Sequence, residues 1–339
     1  MKLYAGLDLH SNNNVIVIVN ERDQVVFRRR QANVASVILQ SLEPFQTELA
    51  GVVVESTYNW YWLVDALMQA GYRVRLANTA AIRQYEGIKR TNDWTDAQWL
   101  AHLLRLGILP EGYIYPAEQR PVRDLLRKRR QLVGERTRHI LSVENLLTRN
   151  TGSRLSCRKI KELDCEEVER MFPRLELSMA INASLRVMST LEEEIGRIEK
   201  QVKSRVKLEA AWHPLLSVWG IGETLAVTIM LETGPISRFR EVGDYSSYCR
   251  AVDSRQDSNG KKKGENNAKC GNRYLAWAYV EAANFAARYY PQAQAFVGRK
   301  TAEVNRTLGI KALANKLCRA SYWVLKDQVE FEPKRLFGS

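Results

Sequence analysis

Four acidic residues in the first third of the chain stand where an α/β protein gathers its ligands. Asp8 follows the apolar run of "KLYAGLDLH", and Glu55 ends the run of "LAGVVVES". Asp93 and Asp96 lie three residues apart in "RTNDWTDAQWLAHLL", a spacing that puts both on one face of a helix. Ligands of an open α/β sheet bind at the carboxyl ends of its strands. Four carboxylates that converge there repel one another without a cation, so the pattern predicts a Mg²⁺ site for phosphodiester chemistry.

Each of these acids has a simpler interpretation when it is taken alone. Asp8 is then a turn residue and Glu55 a cap. Asp93 and Asp96 are then first-turn acids that cap N–H groups and complement the helix dipole. All four in this order, in a basic chain, favour metal binding.

The elements that must position the acids are predicted within residues 1–112. Apolar runs predict a meander of three strands, "KLYAGLDLH", "NNVIVIVN" and "QVVFRRR", and then strands in "LAGVVVES" and "RVRLAN". Helical spacing is present in "NVASVILQSLEPF" and "YNWYWLVDALMQAGY", and two more helices are expected from about Thr79 and from Asp93. This order predicts an α/β RNase H-like fold. Another doubly wound sheet would also fit, although helices normally separate its first strands.

The remaining sequence is predicted to be helical. Residues 113–208 contain two long amphipathic stretches, expected as an antiparallel hairpin or coiled coil, or as two ordinary packing helices. Residues 209–330 form a mostly α-helical C-terminal domain. Its Gly220-Ile221-Gly222 stands between two apolar stretches, which is typical of a helix-hairpin-helix that contacts a DNA backbone, although a plain tight turn fits equally well. A polar Gly/Lys/Asn-rich loop separates this region from the last helices.

Composition narrows the class of protein. The 339 residues carry a formal net charge of +13, which favours a polyanionic partner, most commonly nucleic acid, over a merely basic soluble protein. No apolar run reaches the roughly 20 residues needed to span a bilayer, and the N-terminus does not resemble a signal peptide. The five cysteines form no CxxC pair, which together with only four histidines argues against zinc and for reduced thiols in a cytoplasm.

Basic residues are concentrated between residues 120 and 161 and again from Asn259 to Lys269. Because aromatic residues are sparse in the first stretch, we expect contact with a phosphate backbone of RNA or DNA more than base stacking. The residues predicted to contact nucleic acid are Arg127, Lys128, Arg129, Arg130, Gly220, Gly222, Lys261, Lys262 and Lys263.

Two sets of motifs resemble a known family. "YAGLDLH", "VVVEST" and "RTNDWTDAQWLAHLL" resemble the three acidic blocks of the DEDD transposases of bacterial insertion sequences, whose N-terminal domain is RuvC-like. "LLSVWGIGETLAVTIMLETG" and "DSNGKKKGENNAKCGNRYLAWAYVEAA" resemble their C-terminal transposase domain. The resemblance covers nearly the whole chain in the right order. It is closer to the branch of the family that inserts into particular target sites.

The resemblance implies a composite active site. RuvC-like acids would bind Mg²⁺, and Ser258 in "RQDSNG" would attack DNA, with Ser254 as the rival position. A serine is a poor nucleophile without a base or a metal. No histidine lies near Ser258 in the sequence, so metal activation is the expected route, and Asp257 either assists or is a solvated loop residue.

The resemblance also implies partners. These are the DNA of the element ends and of the target, and a structured non-coding guide RNA. We expect a homo-oligomer, a dimer or tetramer, in which Ser258 of one protomer meets the acids of another, in a bacterial cytoplasm and not at a membrane. The alternatives are a RuvC-like junction nuclease that uses water as its nucleophile, and a non-catalytic nucleic-acid-binding protein.

Overall fold

The computed structural model describes residues 1–82, 92–206, 210–252, 256–264 and 270–337. The chain divides into two compact units. The first comprises Met1–Glu118 and the described part of Ser254–Cys270, and the second comprises Gln119–Asp253 and Gly271–Ser339. The segment near Ser258 is therefore grouped with the N-terminal residues, although it lies between two parts of the second unit in the sequence.

A six-stranded sheet forms the centre of the first unit. Its strand order is β3-β2-β1-β4-β5-β6; the first three strands are antiparallel, β1, β4 and β5 are parallel, and β6 returns antiparallel. The five strands predicted from apolar runs are all present, and only the two-residue β6 was not expected. The strands are β1 (Leu3–Leu9), β2 (Asn13–Asn20), β3 (Val25–Ala32), β4 (Leu49–Glu55), β5 (Val74–Ala77) and β6 (Glu111–Gly112).

Both faces of the sheet are covered, because β2 is apolar on both sides. Ile16 and Ile18 pack into a cluster with residues of α1 (Ala35–Leu42) and α2 (Tyr61–Gln69). The alternate residues, among them Val15 and Val17, pack against α3 (Asp93–Leu106) on the other face. From Thr79 the described residues form a 3₁₀ turn, Thr79–Ala81, rather than the expected α-helix, and residues 83–91 lie outside the described part.

The second unit is helical, as expected. Two 32-residue helices, α4 and α7, pack antiparallel, with Arg129 bound to Glu199 and Arg136 to Glu192. The short helices α5 and α6 lie between them in the sequence, and a core of later helices packs onto the end of the hairpin. The helices are α4 (Arg120–Thr151), α5 (Cys157–Glu162), α6 (Cys165–Met171), α7 (Leu175–Val206), α8 (Glu223–Thr233), α9 (Val242–Tyr248), α10 (Arg273–Tyr289), α11 (Pro291–Glu303), α12 (Arg306–Asp327) and α13 (Pro333–Phe337).

The polar segment after α9 is not only a loop, and this corrects the sequence prediction. It contains an antiparallel hairpin of β7 (Gln256–Ser258) and β8 (Lys261–Gly264). The two turn residues, Asn259 and Gly260, both have positive φ angles, 53° and 72°. Asn-Gly suits such a tight turn because both residues tolerate the left-handed region.

No helix among the described residues is both long enough and apolar enough to span a membrane.

Candidate active site

Two of the predicted acids end neighbouring strands. β1 and β4 run parallel with Leu7 beside Val54, so Asp8 and Glu55 are the next residues along each strand. Side chains alternate along a strand, and Val53 packs against Leu100 of α3, which puts Glu55 on the α3 face. Asp8 is 4% exposed, and its carboxyl group is hydrogen-bonded to that of Glu55.

The other two acids begin α3, but neither is its cap. The cap is Asn92, whose side chain accepts hydrogen bonds from the backbone N–H groups of Trp94 and Thr95, at 3.0 and 3.1 Å. The Thr95 hydroxyl in turn accepts from the backbone N–H of Asn92 at 2.9 Å. This reciprocal capping satisfies the helix N-terminus. The carboxylates of Asp93 and Asp96 are therefore not needed to cap the helix.

A close contact between α3 and β1 brings the two pairs of acids together. A Cβ atom on Gly6 would lie 2.0 Å from the carbonyl oxygen of Ala97 and 2.8 Å from the backbone nitrogen of Ala101. Only glycine allows the helix backbone to lie on the strand at this distance. Asp93 stands one helical turn before Ala97, and Asp8 stands two residues beyond Gly6. The first turn of α3 therefore lies beside the end of β1.

The pKa values of Glu55 and Asp96 reflect the neighbouring carboxylates. Burial raises the pKa of Glu55 to about 8, with further contributions from its hydrogen bond to Asp8 and from the charges of Asp8 and Asp96. The pKa of Asp96 is also raised, first by burial and then by the charges of Asp8 and Asp93. Like charges disfavour ionisation in this way when carboxylates share a site. All four predicted acids thus act on one another in one place.

Asp93 differs from the other acids because it forms an ion pair with an arginine. Arg30 of β3 forms an ion pair with its carboxylate, and His10 lies nearby. The hydrogen bond from Arg30 lowers the pKa of Asp93, and the charges of His10 and Arg30 act in the same direction. Trp94 lies between the two aspartates in the sequence. It packs beside the valines of β2, under the guanidinium groups of Arg28 and Arg30.

His10 completes a cluster that the sequence did not predict. Its buried Nε2 atom lies 3.3 Å from Oδ2 of Asp8 and 3.4 Å from Oδ2 of Asp93. Its backbone carbonyl accepts hydrogen bonds from the side chains of Asn33 and Asn59, at 2.9 and 3.0 Å. These bonds tie the turn after β1 to the segments that follow β3 and β4. The position of His10 is therefore set by three parts of the chain.

This donor set fits a divalent cation. Ligand atoms of Asp8, His10 and Asp93 all lie within 4.8 Å of one another. Carboxylate oxygens are the preferred donors for Mg²⁺, and imidazole nitrogen is a common donor for transition metals. A bound cation would also relieve the repulsion that raises the pKa of Glu55.

The predicted nucleophile lies at the end of a strand. Ser258 is the last residue of β7 and pairs with Lys261 across the Asn259-Gly260 turn, near the tip of the hairpin. Its backbone is grouped with the unit that holds the acids. The rival position, Ser254, lies outside the described residues.

Comparison with known proteins assigns the family. A sequence model of the DEDD transposases of IS110 type, described as "Transposase", matches residues 5–150. A second model, described as "Transposase IS116/IS110/IS902 family", matches residues 213–298, so the two together cover more than half of the chain. The chain belongs to the IS110 family of DEDD transposases. The resemblance inferred from the acidic blocks is therefore confirmed.

Two curated relatives agree with this assignment. A Pseudomonas aeruginosa protein (strain PAO1), described as a probable family 20 transposase, is 25% identical over 346 aligned residues, covering 97% of this chain and 98% of the relative. The transposase for insertion sequence element IS1111A of Coxiella burnetii is 23% identical over 268 residues, covering 76% of this chain and 70% of the relative. Membership of this family implies an enzyme that binds DNA, and it suggests the use of a divalent metal.

The four basic residues predicted on α4 have different surroundings in this IS110 family member. Arg127 binds the buried carboxylate of Glu232 at 2.6 and 2.9 Å, and Arg129 binds Glu199 at 2.7 Å. These two side chains hold helices together. Lys128 is exposed, and the guanidinium of Arg130 lies over aromatic rings of α10.

The two glycines of the predicted helix-hairpin-helix also differ. The stretch before them is a 3₁₀ helix, Ala210–Ser217, and the stretch after them is α8. Gly220 has a φ of 81°, and a Cβ there would lie 2.0 Å from the carbonyl oxygen of Ala282, so close packing on α10 explains this glycine. Gly222 precedes α8 with nothing within 4 Å of a Cβ position.

The last three predicted residues lie on β8. Lys261 and Lys263 are exposed, and the side chain of Lys262 lies outside the described part of the chain. Nucleic-acid contacts by all nine predicted residues stay predictions.

Sequence reasoning missed two members of the acidic site. His10 stands two residues after Asp8, and this Asp-x-His spacing at a strand end was a usable signal. Arg30 had no such signal, because it reaches Asp93 only through the sheet, in which β3 is separated from β1 by β2.

Proposed function

We propose that the protein is a Mg²⁺-dependent transposase that cleaves and rejoins the DNA strands of an insertion sequence through a covalent link to Ser258. The observation that carries the proposal is the convergence of four carboxylates on one face of the sheet, where the pKa of Glu55 rises to about 8. The strand order β3-β2-β1-β4-β5 supports an RNase H-like fold for this part.

The chain's own residues would divide the work. Asp8, Glu55, Asp93 and Asp96 would hold Mg²⁺, with His10 beside Asp8 and Asp93. When bound, Mg²⁺ supplies Lewis-acid polarisation of a phosphate and neutralises charge that develops in the reaction. Arg30, which pairs with Asp93 here, would be free to approach a DNA phosphate once a cation takes its place.

Ser258 would perform the covalent step. Its hydroxyl oxygen would form a bond to phosphorus as the bond from phosphorus to one deoxyribose oxygen breaks. The serine proton leaves to solvent or to a nearby base, and the departing deoxyribose oxygen takes up a proton. The phosphodiester is conserved in the adduct, so attack by the hydroxyl of another strand rejoins DNA and regenerates the serine.

The choice of DNA would come from a guide RNA, as the family resemblance implies. The basic residues on α4 and on β8 support contact with a nucleic-acid backbone. A homo-oligomer would bring two DNA ends together.

A denaturing gel tests the covalent step. The full-length protein is incubated with Mg²⁺, with RNA transcribed from the non-coding sequence that flanks its gene, and with labelled duplex DNA of the same flanks, and protein–DNA adducts are resolved from free strands. We expect an adduct with the native protein, none with Ser258→Ala, and an adduct with the matched control Ser254→Ala. Free cut ends without any adduct would instead indicate a junction nuclease that uses water.

A mixing experiment tests which protomer supplies the serine. Asp8→Ala and Ser258→Ala are each inactive under the proposal. If Ser258 acts on DNA held by the acids of another protomer, a mixture of the two variants regains cleavage. If both act within one chain, the mixture stays inactive, as the grouping of the β7–β8 hairpin with the acids favours.

A further inference from the structure

One face of α10 carries a stripe of aromatic side chains. Tyr274, Trp277, Phe285 and Tyr289 all fall within a sector of about 120° on the helix, given 3.6 residues per turn. Phe285 is 43% exposed and Tyr289 is 66% exposed, and their rings are nearly parallel at 6.5 Å. The opposite face of α10 is buried in the core of the unit. Tyr274 and Trp277 are partly exposed, and large exposed apolar patches mark interaction sites or ligand-binding grooves.

Arginine side chains lie on the first part of this stripe. The guanidinium of Arg130 lies 5.0 Å from the ring centre of Trp277 and 5.5 Å from that of Tyr274. Arg127 and Arg273 lie 4.4 and 5.0 Å from the Tyr274 ring. Planar guanidinium groups over aromatic rings are held by cation–π attraction. Nucleic-acid bases stack on both kinds of surface.

Two adjoining grooves run along the stripe, and both are lined by Val133, Trp277 and Glu281. The groove at the Tyr274 end has a volume of about 900 Å³ and is lined by five basic side chains and two carboxylic acids. The second groove, of about 720 Å³, continues past Phe285 and Tyr289 and is bordered by Gly220–Leu225. A positively charged channel thus leads onto an aromatic surface.

We propose that this face binds an unpaired nucleic-acid strand, with bases stacked on Trp277 and on the Arg130 guanidinium and phosphates along the basic side of the groove. A positive groove with aromatic platforms is how proteins hold single strands of either RNA or DNA. A duplex is a poorer occupant because its bases are already stacked and paired. The proposal rests on the proposed function only for the class of ligand.

This inference reverses one expectation from the sequence. Aromatic residues are sparse around Arg127–Arg130, and backbone contact was expected there. The fold brings the aromatic residues of α10, which lie more than 140 positions later in the sequence, against those arginines.

A binding titration tests the proposal. The full-length protein, in EDTA so that no cleavage occurs, is titrated with fluorescent oligothymidine and oligouridine of about 16 nucleotides and with a duplex of equal length. We expect Trp277→Ala to weaken binding of at least one single strand about 5-fold to 100-fold, because stacking of one base contributes that much. The two oligonucleotides distinguish DNA from RNA as the source of the strand. Duplex binding should change less than twofold.

Matched variants make the result specific. Trp323→Ala removes another tryptophan, 48% exposed on α12 and outside both grooves, and should leave binding within about twofold. Phe285→Ala removes an exposed ring of the stripe without touching the core, and should weaken single-strand binding in a folded protein. Arg130→Lys keeps the charge but loses the planar surface, so it should weaken single-strand binding with an unchanged salt dependence.

Three results would overturn the proposal. The first is an equal effect of Trp277→Ala and Trp323→Ala, and the second is an equal loss of duplex binding. The third is a change of oligomeric mass in Phe285→Ala with single-strand affinity unchanged, which would make the stripe an interface between copies. Because the assay contains no metal and needs no cleavage, its failure would leave the proposed reaction untouched.

Discussion

Two carboxylates, buried Glu232 in the second unit and partly buried Glu55 in the first, have opposite surroundings. Glu232 of α8 is 2% exposed and is bound by Arg123 at 3.0 Å, by Arg127, and by the side-chain amide of Asn272 at 2.7 Å. Burial acts to raise its pKa, but the hydrogen bonds and the charges of the two arginines outweigh burial, and the pKa is lowered. Glu55 has Asp8 and Asp96 as neighbours, and its pKa is raised to about 8.

The two acids differ in whether cationic side chains compensate their charge. The charge of Glu232 is compensated by arginines within the protein, and its hydrogen bonds join α4, α8 and the start of α10. Its carboxylate oxygens are already bound by protein groups. The pKa of Glu55 is raised by burial and by Asp8 and Asp96, whereas Arg30 and His10 act on Asp93; under the proposal, a bound cation would compensate Glu55. Burial of an acid thus does not by itself indicate a functional site. The charges of the neighbouring groups determine whether its pKa is raised or lowered.

The sharpest test makes the same chemical change at both positions. We expect Glu232→Gln to lower the free energy of unfolding by about 3–5 kcal/mol, because the buried Arg123 and the partly buried Arg127 lose their counter-ion. Glu55→Gln should leave metal-free stability unchanged or raise it, since one repelling carboxylate is removed. Urea unfolding in EDTA at pH 8 measures both. Destabilisation of similar size in the two variants would break the comparison.

Replacing Asp8 tests the role of the acids around Glu55 through activity. Asp8→Asn should reduce metal-dependent strand cleavage at least about 100-fold, because even residues that only support metal ligands typically contribute about 10- to 100-fold. Glu48→Gln, which neutralises an exposed acid of the same unit, is the control. Full cleavage by Asp8→Asn would remove the acid cluster from the mechanism.

Gly6 tests how α3 brings the acids to the strands. Gly6→Ala places a methyl group on the backbone of Ala97, so we expect about 1–3 kcal/mol of destabilisation, as for overpacked cores. The displaced helix should also weaken Mn²⁺ binding, measured by calorimetry. The control is Gly196→Ala on α7, where a Cβ meets nothing within 4 Å. Native metal affinity in Gly6→Ala would show that the first turn of α3 does not depend on this contact.

His10 tests whether a nitrogen donor contributes to the metal site. His10→Ala should weaken Mn²⁺ binding at least about tenfold, whether the ring binds the cation or orients Asp8 and Asp93. His139→Ala on α4 should have no effect. Equal affinities for the two variants would limit the metal site to oxygen donors.

The pH dependence of metal-free stability also tests the surroundings of Glu55. Glu55 has a pKa of about 8 when folded and an ordinary value of 4.5, so between these values the folded state holds a proton that the unfolded state releases. Stability should therefore fall as pH rises from 5 to 8. Asp96, whose pKa is also raised, acts in the same direction. Thermal melting in EDTA measures this slope, which should be shallower in Glu55→Gln; an unchanged slope would assign it to other groups.

Much of the first unit was predictable because its signals are local. Apolar runs located five strands, and alternation along β1 and β4 explains why Asp8 and Glu55 share a face. The start of α3 at Asp93 was also predicted. The identity of its cap was not, because Asn92, Asp93 and Asp96 all have side chains that can cap a helix.

The rest depends on contacts that no local pattern reveals. The pairing of Arg127 with Glu232 spans 105 residues, and that of Arg30 with Asp93 spans 63. The β7–β8 hairpin was missed because its strands are short and polar, without the apolar alternation that marks a strand, although its Asn259-Gly260 turn was a signal. The close contact of Gly220 with α10 is likewise visible only in the fold, so nothing in the sequence indicated this second reason for a glycine.

The insertion of the hairpin between α9 and α10 has a consequence for how this protein can be divided. The polypeptide leaves the first unit at residue 118, returns to it at 254 and leaves it again at 270. A fragment that ends at residue 118 would keep the four predicted acids and lose the hairpin that bears Ser258. Exchange of one continuous half between related genes would therefore separate the acids from their own hairpin. The proposed reaction needs both parts, although most of the second unit lies between them in the sequence.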